Sequence, residues 1–406
     1  MQHHSSWLRR GVALALFAGT LALTSHAGAP LLEKIDIFEA NTAGYVHYRI
    51  PGIVVTSKGT LLAYCEARKN ASGDWGTIDV LMRRSTDAGK TWEPARKIVT
   101  PPAGVSKNPV ALKQGLAEAG EITVNNPVAI VDRKNGAIHF LYCIEYARCF
   151  YIRSDDDGKT FSEPVEITPA FDWFRPEYDW KVLATGPGHG IQLENGRLIV
   201  TLWLSTGTGG HAHRPSCVST IYSDDHGRTW KRGQIVVNDP TPQNPSETVA
   251  VQLADGRVLL NIRHESRPKG RGVSLSSDGA TGWSPIRFDD QLPEPVCMGS
   301  IVRLSKKPEA SRNRILFANP HNAETRERKN LTVKLSYDEG QTWAVAKSLE
   351  PGPSGYSDLA VGRAGTLYCF YERGSASESH FNPKSLCVAR FNLEWLTEGE
   401  DRLGKR

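Results

Sequence analysis

The sequence is short of helix signals, like-charge runs and metal-binding spacings, and each shortage excludes a class of protein. After residue 27 no apolar run approaches the length that crosses a bilayer as a helix. No basic run is long enough to follow a nucleic-acid backbone, and 49 Lys and Arg against 44 Asp and Glu leave a formal net charge of +5, so no nucleic-acid partner is expected. None of the seven cysteines stands in a Cys/His spacing that would hold zinc. Helical patterning is confined to residues 109–119 and 393–398. No Pro/Gly/Ser linker divides the chain, so residues 28–406 are expected to form a single domain.

Strand signals fill the space that helices leave. Short apolar runs such as Gly52-Ile53-Val54-Val55-Thr56, Arg197-Leu198-Ile199-Val200-Thr201 and Arg257-Val258-Leu259-Leu260-Asn261 recur beside turns such as Lys58-Gly59, Glu194-Asn195-Gly196 and Asp255-Gly256. A content of 37 Gly and 24 Pro suits a turn-rich β protein.

One motif recurs. Ser85-Thr86-Asp87-Ala88-Gly89-Lys90-Thr91-Trp92 reads S-x-D-x-G-x-T-W, and further copies begin at Ser154 (with Phe161 for Trp), Ser223 and Ser336. A worn copy, Ser276 to Trp283, keeps only Ser, Asp and Trp. Successive starts lie 69, 69, 53 and 60 residues apart, the mark of a repeat architecture. Ser and Asp side chains bind nearby backbone N–H groups and set turns. Gly allows positive φ at the tip, and the terminal aromatic can enter a hydrophobic layer. Each copy therefore reads as a hairpin turn. A calcium loop is the rival reading, but the bidentate Glu that should close it is missing from every copy; no metal is expected.

Residues 1–27 read as a secretory leader. Arg9-Arg10 supply positive charge, Gly11 to Leu23 a short apolar run, and Ser25-His26-Ala27 a small-residue cleavage site. The mature protein is then expected to be secreted or periplasmic, with no membrane span after cleavage. Cys143 and Cys149 flank a hairpin tip and are the best candidates for a disulfide.

The repeated turns resemble the Asp-boxes, or BNR repeats, of bacterial exo-α-sialidases (neuraminidases, glycoside hydrolase family 33 type). The resemblance implies an all-β fold, a six-bladed β-propeller of four-stranded antiparallel blades. It extends over roughly residues 35–395 and continues in an ordered set of charged residues. Tyr48-Arg49-Ile50-Pro51 is similar to the sialidase Arg-Ile-Pro motif, whose Arg holds the substrate carboxylate. The next strand ends in Glu66-Ala67-Arg68, and a loop then carries Asp74 in Ser72-Gly73-Asp74-Trp75-Gly76. Asp74 matches the family's acid/base, with Asp79 as its rival; Arg68 matches an arginine near the acid and the sugar. Glu247 opens one strand of a hairpin and Arg263 ends the other, so both can reach one rim. Arg328 in Arg328-Lys329-Asn330-Leu331 is the third clamp arginine, with Arg326 as rival, and Tyr356 follows.

The implied chemistry is self-consistent. Sialic acid carries a carboxylate on the carbon that reacts, and guanidinium forks bind carboxylate bidentately. An anionic nucleophile would be repelled there; neutral Tyr356, deprotonated by Glu247 as it attacks, would not. Sialidases with a Tyr nucleophile are a known exception to the two-carboxylate pattern of glycosidases. Asp74 would protonate the leaving oxygen and then activate water, retaining configuration without any cofactor. The expected partners are sialylated glycoconjugates; the sequence leaves the oligomeric state open, with a monomer favoured. The alternatives are a trans-sialidase, a hydrolase of a sialic-acid analogue, or a catalytically silent glycan-binding propeller. Trp75 is a candidate for covering the N-acyl or leaving-group side, and Glu145 or Tyr146, with Trp203, for lining the glycerol or N-acyl region.

Overall fold

The computed structural model describes residues 29–403 except 71, 72, 268, 269, 378 and 380. The expected leader at 1–27 lies outside those residues. The described chain is all-β in a propeller arrangement. Strands are grouped into sheets around a central channel lined by Val54, Val131, Ile191, Val251, Val302 and Val361.

The expected division into six four-stranded antiparallel blades does not hold. The strands form five hydrogen-bonded sheets, of seven, six, five, four and four strands. The cause is one 17-residue strand, Val345–Val361. Its first half pairs with Lys329–Ser336 and its second half with Leu367–Arg373, which runs two groups of strands into a single seven-stranded sheet. One pairing, Gly188–His189 with Val124–Val131, is parallel. The N-terminal strand Leu32–Glu39 pairs antiparallel with the C-terminal strand Ser385–Phe391, joining the two ends of the described chain within that sheet.

The core lies between neighbouring sheets. Leu62 and Tyr64 of one sheet pack with Phe140 and Ile152 of the next, all almost fully buried. Residues of alternating direction along each strand thus serve two apolar layers, which explains why the strand runs read as nearly continuous hydrophobic segments.

Helix is as scarce as expected, and shorter. The candidate at 109–119 is reduced to Pro109–Lys113, capped by the Asn108 side chain accepting from Val110 N at 2.9 Å. The second candidate is Leu393–Leu396, capped by Asn392. Pro169–Asp172 forms a turn of helix that no periodicity announced. Among the described residues, no helix is long and apolar enough to cross a membrane.

Each repeated motif begins on the last residue of a strand and forms the turn after it. In the first, Ser85 Oγ donates to Asp87 Oδ1 at 2.8 Å and accepts from Gly89 N at 2.9 Å; Asp87 accepts from Thr91 N at 2.9 Å and Thr91 Oγ1 at 2.6 Å. The copies at Ser154, Ser223 and Ser336 repeat these bonds, and the worn copy closes one residue earlier, on Thr281. In the four complete copies the Gly and the residue before it both have positive φ, as at Ala88 (62°) and Gly89 (84°). The closing aromatic packs inward: Trp230 lies 6.1 Å from Tyr151, and Trp343 lies 5.7 Å from Phe317.

These turns stabilise the fold through their aspartates. Burial alone would raise the Asp225 pKa, but bonds from Thr229 and Ser223 outweigh it and hold the carboxyl at about 2. A depressed folded pKa gives stability above the unfolded value of about 3.9, lost as pH falls through the folded value. Asp225→Ala removes these largely solvent-screened bonds and should cost about 1 kcal/mol at pH 7. The difference from wild type should shrink between about pH 4 and pH 2. Urea unfolding midpoints across that range check it.

The disulfide suggested between Cys143 and Cys149 is not formed. The two face each other in register, yet all seven cysteines are free and buried. Cys143 Sγ also lies 3.7 Å from Thr185 Oγ1, and the thiols serve as small hydrophobes.

Candidate active site

Strand direction carries the charged set to one end of the sheets. Arg49 stands near the start of His47–Val55, Glu247 precedes Thr248–Gln252, and Arg328 precedes Lys329–Ser336. Arg68 ends Leu61–Arg68, and Arg263 follows Val258–Ile262. Antiparallel neighbours place these starts and ends on the same rim. The repeated turns lie at the far ends of strands such as Ile78–Ser85, eight residues away at ~3.3 Å per residue. None of their aspartates lines the cleft.

Arg49, Asp74, Glu247, Arg263, Arg328 and Tyr356 line one cleft, and Arg68 lies behind Asp74. At its floor the Tyr356 hydroxyl donates to Glu247 Oε1 in a short bond. Arg263 Nη1 donates to the Tyr356 oxygen at 2.8 Å and also to Glu247 Oε2. The Tyr356 ring is faced by two more cations, Arg49 at 5.2 Å and Arg328 at 4.8 Å from its centre. Burial pushes the phenol pKa well up; the three arginines oppose this without cancelling it, so the hydroxyl stays protonated at rest.

The backbone that aims these groups is strained. Arg49 sits at a bulge where Ile50, a β-branched residue, adopts φ 58°. Ile50 N then donates to Glu372 Oε1 at 3.3 Å. Glu372 also accepts from Arg49 Nε at 2.9 Å and Tyr356 N at 3.1 Å, so one buried carboxylate positions both. A second bulge precedes Tyr356; a Cβ on Gly355 would lie 2.2 Å from Glu372 Oε2, so only glycine fits that approach.

Asp74 is held as a carboxylate. Burial would raise its pKa, but Arg68 at 2.8 Å and Arg49 at 3.8 Å outweigh that and bring it well below the ordinary range. Arg68 is supported from behind by Glu66 at 2.7 Å. The rival Asp79 stands outside the cleft, paired with Lys97 and with the Tyr45 hydroxyl at 2.8 Å. The rival Arg326 is on the cleft rim, 57% exposed and 3.8 Å from Glu265, whereas Arg328 is buried against Tyr356.

Tyr146, Trp203 and His213 form one wall, the two rings each 5.0 Å from the imidazole, while Trp75 packs behind it in the core, 5.5 Å from His213. Burial lowers the His213 pKa to about 4, so it is neutral near pH 7. Glu145 does not line the cleft; it turns to Lys107. Glu372 and His213 were not among the sequence candidates. The available signal for Glu372 was an acid near the end of an apolar strand, Leu367–Arg373, where a buried ion pair is the ordinary explanation.

Some guanidinium nitrogens of the cleft arginines are unpaired. Arg328 Nε and Nη1 and Arg263 Nε are buried with no hydrogen-bond partner among the described residues. A buried guanidinium donor is costly unless water or an anion meets it. A cationic cleft with a carboxylate-paired tyrosine and a separate loop carboxylate suits an acidic ligand. The BNR repeat-like domain model matches residues 117–369, more than half of the chain, and the chain belongs to that family.

The chain is similar to a sialidase of Micromonospora viridifaciens, 31% identical over 429 residues that cover 95% of this chain and 59% of that protein. It is 30% identical over 383 residues to a sialidase of Bacteroides fragilis, covering 88% of this chain and 65% of that protein. It thus spans less than two thirds of either relative. In structure it resembles a Hadza microbial sialidase, with a TM-score of 0.71 and 28% identity over 89% of this chain and 69% of that one.

Proposed function

We propose that this protein is an exo-α-sialidase that removes terminal α-linked sialic acids from glycoproteins, glycolipids and oligosaccharides. The observation that carries the proposal is the bonding of Tyr356 to Glu247 and Arg263, with Arg49 and Arg328 facing its ring. In this reading residues 28–406 are one catalytic domain, exported through the leader at 1–27.

Arg49, Arg263 and Arg328 take the sugar carboxylate. Glu247 accepts the phenolic proton as the Tyr356 oxygen attacks the anomeric carbon, and the bond to the leaving oxygen breaks. Asp74 gives that oxygen a proton. Water, deprotonated by Asp74, then displaces Tyr356, which recovers its proton from Glu247. Two displacements retain the anomeric configuration. Release of fluorophore from a fluorogenic N-acetylneuraminic acid glycoside tests the activity; no release by folded protein would refute it.

Asp74 must gain a proton to act as an acid, and the substrate supplies the means. A carboxylate on the arginines neutralises part of the charge that depresses Asp74, so its pKa rises on binding. Binding of an unsaturated sialic-acid inhibitor should therefore take up protons, more so as pH falls toward 5. Calorimetry in two buffers of different ionisation enthalpy measures this. The uptake should vanish in Asp74→Asn.

A further inference from the structure

The loop that carries Asp74 is fixed through its backbone, and the group at the centre of the fixation is a lysine remote in sequence. Lys107 is buried, its side chain 0% exposed. Its ammonium donates to Trp75 O at 2.8 Å, Thr123 Oγ1 at 3.1 Å and Glu145 Oε1 at 3.0 Å. Thr123 Oγ1 lies within bonding distance of Trp75 O (2.8 Å) and Gly76 O (2.7 Å), and Thr123 N donates to Glu145 Oε1 at 2.6 Å. On the other side of Asp74, Arg68 Nη1 donates to Gly73 O at 2.9 Å. The carbonyls flanking Asp74 are thus tied to two separate cations.

A buried lysine needs its charge compensated, and Glu145 provides that. The three hydrogen bonds of this ammonium all end on groups that frame the acid loop. Asn108, next in sequence, reinforces the arrangement by donating from Nδ2 to Glu145 O at 3.0 Å and to Lys181 O at 3.1 Å. None of these contacts reaches the cleft, because Lys107 and Glu145 are not among the residues that line it.

We propose that Lys107, paired with Glu145, is a positioning residue for Asp74: it sets the acid/base loop so that the carboxyl reaches the leaving-group oxygen. This rests on the sialidase reading, and on Asp74 as its acid. A residue that acts through the general acid should matter most where the leaving group needs a proton. Misplacing a reacting group by about 1 Å can cost ~10²-fold, and general acid catalysis itself contributes about 10²–10⁴-fold.

The test compares two substrates by kcat/KM, which reports the first displacement. One releases a sugar alcohol, as in sialyllactose; the other releases an activated phenol. For Lys107→Met, kcat/KM on the first should fall ~30-fold or more, and on the second less than ~3-fold. Asp74→Asn, run alongside, should show the same discrimination more strongly. Equal losses on both substrates in Lys107→Met, or no loss on either, would overturn the positioning role. If Asp74→Asn itself fails to discriminate, the acid assignment falls and this inference with it, and the two failures are told apart. If Lys107→Met does not accumulate as folded protein, Thr123→Val removes a second hold on the same carbonyls and carries the same comparison with the same two outcomes.

Discussion

Tyr356→Phe should lose hydrolysis by at least ~10³-fold, the scale on which removal of a nucleophile registers, while still binding a sialic-acid-like inhibitor. The substitution deletes one oxygen. The ring that Arg49 and Arg328 face remains, and so do the guanidinium forks that would hold the carboxylate. Glu247 keeps its pair with Arg263, so no buried carboxylate is left alone. Inhibitor affinity measured by calorimetry, set against kcat on the fluorogenic glycoside, separates the two effects. Near-normal turnover would sink the nucleophile assignment.

Arg328→Lys should weaken binding and turnover together by ~10–100-fold, since a charge-assisted bond is worth about 1.5–3 kcal/mol. A lysine supplies a point charge where a planar fork is required. Arg328 Nε and Nη1 have no hydrogen-bond partner among the described residues, and only Nη2 is engaged, with Val296 O at 3.3 Å. The planar group faces the Tyr356 ring in the cleft, where a carboxylate would be bound. Arg326→Ala, on the exposed rim, should stay within about 3-fold of wild type, because exposed ion pairs contribute less than about 1 kcal/mol. A silent Arg328→Lys beside a damaged Arg326→Ala would exchange their roles.

Parts of this architecture were legible in the sequence because local chemistry dictated them. A Ser, an Asp two residues on and a Gly at the tip close a turn through their own backbone, so the repeats could be read without tertiary knowledge. The extension of strands between those turns followed from β-branched runs. The joining of strands into a seven-stranded sheet was not legible. It depends on whether Val345–Val361 continues through Pro351-Gly352-Pro353, where the residue types argue for a break.

The cleft shows the same division. Arg49, Asp74, Glu247, Arg263, Arg328 and Tyr356 could be singled out by motif and order, and the structure brings them together. Glu372 and Lys107 could not, since each does its work across more than 30 positions of sequence: Glu372 on Arg49, Lys107 on Trp75. A buried acid and a buried base look, in sequence, like any solvated charge. The disulfide suggested for Cys143 and Cys149 is not formed, although register places the two face to face.

The claim that Tyr356 forms the covalent intermediate can be tested by trapping it. A sialic acid with fluorine beside the anomeric carbon and fluoride as leaving group slows the second displacement more than the first. Mass spectrometry of the protein digested after incubation should find one added sugar, on the peptide that contains Tyr356. A sugar on Glu247 or Asp74 instead, or consumption of the compound with no labelled peptide at all, would contradict the account.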